Sequence, residues 1–345
     1  MIRIDLTQGI GLKATQDAYF DILNTKLKKA RGRQEFTSAS TKERIRRAYI
    51  HFKQKRHGLM YVYEYLLNNF REVITDEPQK LVKHMQKITA LYKKHKLTND
   101  KRIRNEGTVA RHILKTLGYE SFSGGKKSYR FINLLNVPVC PYCNRQWITT
   151  VEADSGKVRA TLDHFFSKEK YPYLSMSLFN LVPSCYSCNS SLKGRKEFSL
   201  VKNIHPYIED FNGKLHFSIG FVKGASGTKK VVEFYKDEKS LAIELKADAK
   251  SSKSDLKKAK KNSSIFQLEK LYAHNKDYVV ELVQKSVVYN ATYINDLAKK
   301  YPKLFNSPGE VKRLVYGNYT LTSDLNKRPL AKLTRDICLE LSLPI

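Results

Sequence analysis

Residues 162–194 read LDHFFSKEKYPYLSMSLFNLVPSCYSCNSSLKG, and an upstream stretch at 140–143 reads CPYC. The two CxxC pairs are separated by 41 residues. Their cysteines are Cys140, Cys143, Cys185 and Cys188. Because two intervening residues allow a tight turn with both sulfurs inward, two such pairs predict one tetrahedral zinc site with four thiolate ligands. Ordinary buried cysteines and a redox pair are the alternatives, although redox chemistry needs only one CxxC.

Short strands are predicted between the two pairs. Residues 146–151 are rich in β-branched side chains, and residues 157–163 form a second strand, so a β-hairpin is expected. The stretch from Cys185 begins a short helix that ends at Gly194. A unit of two strands and one helix buries little surface by itself. We therefore expect a structural metal to clamp the hairpin against the helix.

Apolar residues at helical spacing predict a mostly helical chain on both sides of this unit. The sixteen residues 246–261 contain seven lysines, which is typical of a solvated surface segment or a linker. The expected fold class is α+β, with a central, treble-clef-like unit braced by zinc. The predicted organisation is a helical region over 1–135, the central unit over 136–200, a mixed extension with a Lys-rich linker over 201–261, and a helical region over 262–345.

The charge of the chain is strongly positive. It contains 63 Lys and Arg against 33 Asp and Glu, a formal net charge of +30. Such an excess attracts polyanions, and nucleic acid is the expected partner, with lysine-based solubility as the alternative. No apolar run has the length of a membrane span and no secretory signal begins the sequence, so a cytoplasmic protein without a membrane partner is expected.

The residues around the second CxxC resemble the HNH (ββα-metal) endonuclease family. The resemblance lies in Asp163-His164 at the end of a strand, Asn180 in the following loop, and Asn189 directly after Cys188. Lys193-Gly194 matches a common ending of the family motif, and the zinc-bearing subgroup shares the flanking CxxC pairs. The motif covers the 55 residues 140–194. The resemblance implies a metal-dependent phosphodiester hydrolase.

Cleavage of a phosphodiester requires an activated water and charge relief on the phosphate. A neutral imidazole accepts a proton from water near pH 7, so His164 is the expected general base. A hard cation, Mg²⁺ or Mn²⁺, prefers oxygen ligands, which Asp163 and Asn189 provide. Adjacent strand residues point to opposite faces, so both Asp163 and His164 reach one phosphate only if the strand ends or bends there.

Three further polar residues have weaker predictions. The resemblance implies a structural role for Asn180, holding the loop and the base in place. Lys193 and Arg195 are candidate contacts to phosphate, with a charged helix end as the equal alternative. His205 is interpreted as a histidine that caps a turn beside Pro206, and it is left out of the expected site.

The C-terminal residues 317–319 (GNY) and 327–337 (KRPLAKLTRDI) also resemble those of bacterial HNH proteins. That resemblance implies an anti-phage defence effector, in some cases beside an ATPase partner. Two alternatives stay open: a zinc-stabilised nucleic-acid-binding protein without cleavage, and a nuclease subunit that is active only with its partner. DNA is favoured over RNA by the resemblance alone, because no base-reading element is recognisable.

Overall fold

The chain combines many helices with small two-stranded sheets, as the sequence predicts. A computed structural model describes residues 1–7, 9–25, 28–31, 34–37, 39–97, 106–153, 156–221, 239 and 241–345. The first 135 residues are mainly helical. Their helices are α1 (Leu12–Asn24), α2 (Thr41–Gln54), α3 (Leu59–Asn68), α4 (Phe70–Thr75), α5 (Pro78–Lys94), α6 (Glu106–Leu117), α7 (Tyr119–Ser123) and α8 (Lys126–Leu135).

The N-terminal helices surround and hold the loop that follows the Asp163-His164 pair. The hydroxyl of Tyr19 on α1 donates to the carbonyl of Met176 at 2.8 Å. The hydroxyl of Ser177 donates to the carbonyl of Val73 on α4 at 2.5 Å. Both bonds are buried, so the helical region fixes the backbone beside the candidate site.

All eight described strands pair as antiparallel ribbons. The strands are β1 (Lys28–Arg31) with β2 (Gln34–Thr37), β3 (Val151–Ala153) with β4 (Gly156–Val158), β5 (Thr161–His164) with β6 (Leu181–Ser184), and β7 (Leu215–Phe221) with β8 (Leu241–Ala247). In the β5–β6 ribbon Asp163 lies opposite Val182 and His164 lies opposite Leu181. The Asp163-His164 pair therefore ends a buried strand.

The predicted hairpin between residues 146–151 and 157–163 is confirmed only near its turn, where β3 pairs with β4 and Val151 lies opposite Val158. The outer residues of the two predicted strands do not pair with each other. Residues 146–148 fold back on the first CxxC turn, because the amide of Cys140 donates to the carbonyl of Gln146 and that of Ile148 donates to Pro138. β5 pairs with β6, which lies beyond a 16-residue loop. Pro183 in β6 has no amide to donate, which weakens the strand signal in the sequence. The order strand, strand, helix holds, but with β5 and β6 as the strands.

A short helix follows the second CxxC, as predicted. It is a π-helix over Ser187–Lys193, and it ends at Gly194 with φ 50°. The wider π turn gives the helix one hydrogen bond from the amide of Gly194 to the carbonyl of Asn189 at 2.8 Å. π-helical turns often occur at functional sites. Gly118, predicted to end a helix, likewise has a left-handed φ of 75° directly after α6.

The C-terminal part packs helices against the β7–β8 ribbon. Within it the amide of Phe217 on β7 donates to the carboxylate of Asp336. Its helices are α9 (Lys253–Ile265), α10 (Leu268–Tyr272), α11 (Lys276–Val288), α12 (Ala291–Lys300), α13 (Pro308–Tyr316) and α14 (Ala331–Glu340). Most of the predicted Lys-rich linker is helix α9, because its lysines lie on an amphipathic helix whose Asn262 is buried and bonded to Asn203.

Two large groups of buried apolar side chains form the core. One extends from Met1 to Leu268 and includes side chains on both sides of the boundaries predicted near residues 135 and 200. The second joins β7 and β8 to the C-terminal helices, with Phe217 and Leu333 among its members. The central unit is therefore embedded in helical packing. None of the described helices is both long enough and apolar enough to cross a bilayer.

Candidate active site and metal centre

The four cysteines of the two CxxC pairs come together as predicted. All four are buried, and their sulfur atoms lie within 4.8 Å of one another. Zinc–sulfur bonds of about 2.3 Å place the sulfurs of a tetrahedral site about 3.8 Å apart. The Sγ atoms of Cys143 and Cys185 are 4.0 Å apart. This group, termed the zinc cluster below, is positioned to hold one metal ion.

The chemistry of the zinc cluster also suits a cation. Burial raises the pKa of the Cys140 thiol well above its usual range, so this thiol resists ionisation by itself. A divalent metal ion compensates for the burial of thiolate charge, which couples metal binding to folding. None of the four cysteines forms a disulfide. Four soft sulfur ligands and tetrahedral spacing are the donor set that zinc prefers.

The zinc cluster joins elements that differ from those expected. Its first pair lies in the turn after α8, and its second pair lies at the junction of β6 and the π-helix. The metal would therefore clamp that turn, rather than a hairpin, against the helix. Asn144, just after Cys143, is fully buried with a left-handed φ of 50°. Its side chain accepts from the amide of Lys332 and donates to the carbonyl of Leu325, which ties the C-terminal segment to the cluster.

Beside the zinc cluster lies an open cavity of about 390 Å³, termed the polar cavity. Five residues singled out from the sequence line it. They are Asp163, His164, Asn189, Lys193 and Arg195. Asn180 and His205 are not among the lining residues. The fold thus brings the end of β5 and the π-helix to one cavity.

One of the two ring nitrogens of His164 is held by a hydrogen bond to the backbone. It is 7% exposed, and its Nε2 lies 3.2 Å from the carbonyl oxygen of Ser175. Because a carbonyl only accepts, Nε2 carries the hydrogen and Nδ1 keeps its lone pair. The ring packs edge-on against Tyr119, with centroids 4.9 Å apart. Burial, followed by the charge of Lys168, lowers the pKa of His164 to about 3, so the imidazole is neutral at pH 7.

Asp163 is held by two donors. It is 2% exposed, and the hydroxyl of Tyr142 donates to its Oδ2 at 2.6 Å. The ammonium of Lys193 donates to Oδ1 at 2.8 Å and to the carbonyl of His164 at 2.7 Å. Each carboxylate oxygen retains a second lone pair for another partner. Since Tyr142 lies inside the CPYC turn, the zinc cluster and Asp163 are joined by a single side chain.

Lys193 is a buried cation rather than an exposed one. It is 3% exposed, its ammonium bonds to Asp163, and it lies 4.9 Å from the ring centroid of Phe198. This geometry favours a structural role over the phosphate contact predicted from the sequence. Arg195 is different: its side chain is 92% exposed, 3.9 Å from Glu169. Arg195 is therefore free to approach a phosphate at the mouth of the polar cavity.

Asn180 and His205 have the contacts of structural residues. The Asn180 amide oxygen accepts from the backbone amide of Phe166 at 2.7 Å, and its nitrogen donates to the carbonyls of Phe166 and Leu174. Asn180 thereby fastens the loop that carries Ser175. His205 is fully buried with its ring 4.0 Å from that of Phe165, and its Nδ1 accepts from the amide of Tyr207.

Three residues of the site were missed by the sequence reasoning. Tyr142 was noted only as an aromatic residue inside a CxxC turn, yet it bonds to Asp163. Tyr119 and Lys168 line the polar cavity together, with the Lys168 ammonium 4.7 Å from the Tyr119 ring centroid. Lys168 lies only four residues after His164, so its presence near the site could have been expected from the sequence. The contact of Tyr119 depends on tertiary packing.

Comparison with known proteins adds little to this geometry. Over 100 residues the chain is 34% identical to Protein ea31 of Escherichia phage lambda. That match covers 28% of this chain and 29% of the phage protein, so the chain spans less than a third of that relative. No protein-family model matches the chain, and no solved structure matches it.

Proposed function

We propose that the chain is a metal-dependent endonuclease of the HNH kind. The observation that carries the proposal is a neutral, anchored His164 in the same polar cavity as Asp163 and Asn189. An imidazole that faces a solvent-accessible cavity beside oxygen donors is suited to activate water. The expected strand end at His164, where β5 stops, allows both residues to contribute to one cavity.

In this proposal His164 accepts the proton of the attacking water on Nδ1. The carbonyl of Ser175 holds the other nitrogen, which fixes the tautomer and the ring orientation. With a pKa of about 3, His164 is a weak base in the protein without substrate. Because the nearby charge of Lys168 contributes to that low pKa, an anionic phosphodiester bound beside Lys168 opposes the effect and strengthens the base.

Asp163 and Asn189 are the proposed ligands of a catalytic Mg²⁺ or Mn²⁺. Carboxylate and amide oxygens at the polar cavity fit a hard cation, and a second lone pair remains on each Asp163 oxygen. When bound, such an ion supplies charge relief on the phosphate and the leaving oxygen. Tyr142 and Lys193 would hold the Asp163 side chain in position. Arg195 would contact a flanking phosphate.

Nucleic acid is the proposed partner, with DNA favoured and RNA as the alternative. The support is the net charge of +30 together with the basic residues around the polar cavity, which include Arg159, Lys168, Arg195 and Lys196. A cytoplasmic anti-phage effector, active beside an ATPase, is a further proposal that rests on the C-terminal resemblance alone. A zinc-stabilised binding protein without cleavage is the alternative function.

The metal and the substrate are tested together. Supercoiled plasmid and a structured RNA are incubated with the zinc-loaded protein and with Mg²⁺, with Mn²⁺, or with neither. The proposal expects cleavage only with added metal, and strong loss of cleavage in Asn189→Ala with the zinc content unchanged. Binding of both substrates without cleavage under every condition would favour the binding protein or a nuclease that requires its partner.

A further inference from the structure

A second pocket lies next to the polar cavity and has a different character. It has a volume of about 300 Å³ and lies between the end of α5, the helix α6 and residues 169–173. Three tyrosines form much of its wall, together with Leu97, Val109, Ala110 and Pro172. Those tyrosines are Tyr92, Tyr171 and Tyr173. The volume falls at the lower end of the range for small-ligand sites.

The ring of Tyr92 lines the pocket, while its hydroxyl lies inside the protein. The hydroxyl of Tyr92 is buried and forms no hydrogen bond. Its neighbours are aromatic: the Tyr92 and Tyr173 ring centroids are 6.5 Å apart, and those of Tyr171 and Tyr173 are 6.3 Å apart.

The pocket adjoins the proposed catalytic site. Glu169 lines both the polar cavity and the tyrosine pocket. The loop from Ser167 to Ser175 carries the pocket residues Tyr171 and Tyr173 at its centre and presents the carbonyl of Ser175 to His164 at its end. A polynucleotide strand with its phosphate in the polar cavity therefore passes within reach of the pocket.

We propose that the tyrosine pocket binds an unpaired nucleobase of the substrate strand, next to the phosphodiester in the polar cavity. This inference rests on the proposed nuclease function. Flat apolar walls suit the face of a base. Lys93 and Lys170 line the same pocket, with Lys170 paired to Glu197, and supply positive charge for the strand backbone. A base within a duplex must first be turned out of the stack to enter.

A pocket for an unpaired base would give the protein a preference among nucleic-acid substrates. Single-stranded segments, loops and distorted sites would be favoured over regular duplex, because their bases are already unstacked. Tyr171 is the half-buried ring available for stacking, whereas Tyr173 is almost fully buried. Loss of the Tyr171 ring should weaken binding of a single strand on the order of tenfold, as base–aromatic stacking commonly does.

The test uses full-length His164→Ala protein, so that the strand stays intact while Mg²⁺ is present. Single-stranded oligonucleotides carry the fluorescent base 2-aminopurine at successive positions. We expect a fluorescence change at one position, and we expect it to be absent with Tyr171→Ala added and retained with Tyr171→Phe. Tyr301→Ala removes an exposed tyrosine distant in sequence from the pocket and serves as the matched control. Thermal melting of each variant confirms that it is folded.

A second variant separates the Tyr92 ring from its buried hydroxyl. Tyr92→Phe keeps the ring and removes no hydrogen bond from the free protein, so its thermal stability should be equal to or above that of the parent, and its single-strand binding should be unchanged. An unchanged fluorescence signal in Tyr171→Ala, with cleavage by the wild type intact, would overturn the pocket and leave the nuclease standing. Absence of oligonucleotide binding and of cleavage in every form would overturn both. If free nucleoside monophosphates compete with the oligonucleotide at equal concentration, the pocket binds a small nucleotide rather than a strand, and the proposal is overturned.

Discussion

The zinc cluster and the polar cavity share one stretch of about 55 residues, but they differ in almost every physical respect. The cluster is closed: its four sulfur donors are buried and face one another. The polar cavity is open, and its lining residues include members of α7, β5, the loop after β5 and the π-helix. One bound ion would satisfy all four sulfurs of the cluster, whereas the side chains of the polar cavity line an open space. A closed centre is suited to hold structure, and an open one to act on a ligand.

The contact between the two regions is as informative as their difference. Tyr142 belongs to the CPYC turn, and its hydroxyl bonds to Asp163 in the polar cavity. Its ring stacks on Phe266 with centroids 4.4 Å apart. The zinc cluster should therefore affect the polar cavity through the position of Asp163. Variants of the cluster should mainly change the stability of the fold, and variants of the polar cavity should mainly change the rate of cleavage.

The largest effect is expected from removal of one sulfur ligand of the cluster. Cys185→Ser should lose bound zinc and much of the folded, soluble protein, because zinc binding supplies on the order of 10 kcal/mol to such sites. Metal content and thermal melting measure this. Cys338→Ser is the matched control, since Cys338 is buried but lies outside the cluster. A fully folded Cys185→Ser variant without zinc would show that the cluster is not structural.

The next effect concerns the buried ion pair beneath the polar cavity. Lys193→Met leaves the buried carboxylate of Asp163 without its cation, and loss of one partner in such a pair costs about 3–5 kcal/mol. Denaturant unfolding should register that loss in the free energy of unfolding. The double variant Lys193→Met/Asp163→Asn should recover part of it. If the single and double variants are equally unstable, the pair is not the source of the loss.

A smaller effect is expected at the link between the two regions. Tyr142→Phe removes one hydrogen bond to a charged group, worth about 1.5–3 kcal/mol, and keeps the ring on Phe266. We expect slower cleavage with a full complement of zinc. The stability and the zinc content distinguish a positioning effect from damage to the cluster. Cleavage at the wild-type rate would mean that Asp163 needs no support from the CPYC turn.

The smallest effect is a dependence of stability on pH. His164 has a pKa of about 3 when folded and about 6.5 when unfolded, so below pH 6.5 the unfolded chain binds a proton that the folded chain does not. The stabilising contribution of this group is present above pH 6.5 and is lost as pH falls. Between pH 6.5 and 5 the wild type should lose about 2 kcal/mol relative to His164→Ala.

Unfolding of both proteins at the two pH values measures this difference. His274→Ala is unfolded in parallel as the control, because it removes a histidine that is exposed to solvent. A constant difference between the wild type and His164→Ala would contradict a buried, neutral His164.

The contrast between the zinc cluster and the polar cavity also separates the features that can be predicted from the sequence from those that cannot. The cysteine spacing predicts the zinc cluster, because each pair is fixed by a turn of four residues. The helices of the first 135 residues and the short helix ending at Gly194 follow from local patterns. The partner of β5 does not, since β6 lies across a loop and contains Pro183. Tyr142 reaches Asp163, and Tyr119 reaches the polar cavity, only through tertiary packing. The same packing buries Lys193, for which the sequence left a phosphate contact and a charged helix end as equal alternatives.

The rate of strand cleavage by His164→Ala tests the central claim most directly. Wild type, His164→Ala and His274→Ala are compared under single-turnover conditions with Mg²⁺, on preparations with equal zinc content and equal nucleic-acid affinity. We expect His164→Ala to lose roughly 10²- to 10⁴-fold in rate, as removal of a general base does, and His274→Ala to cleave like the wild type. Cleavage by His164→Ala at the wild-type rate would contradict the assignment of the polar cavity as the catalytic site.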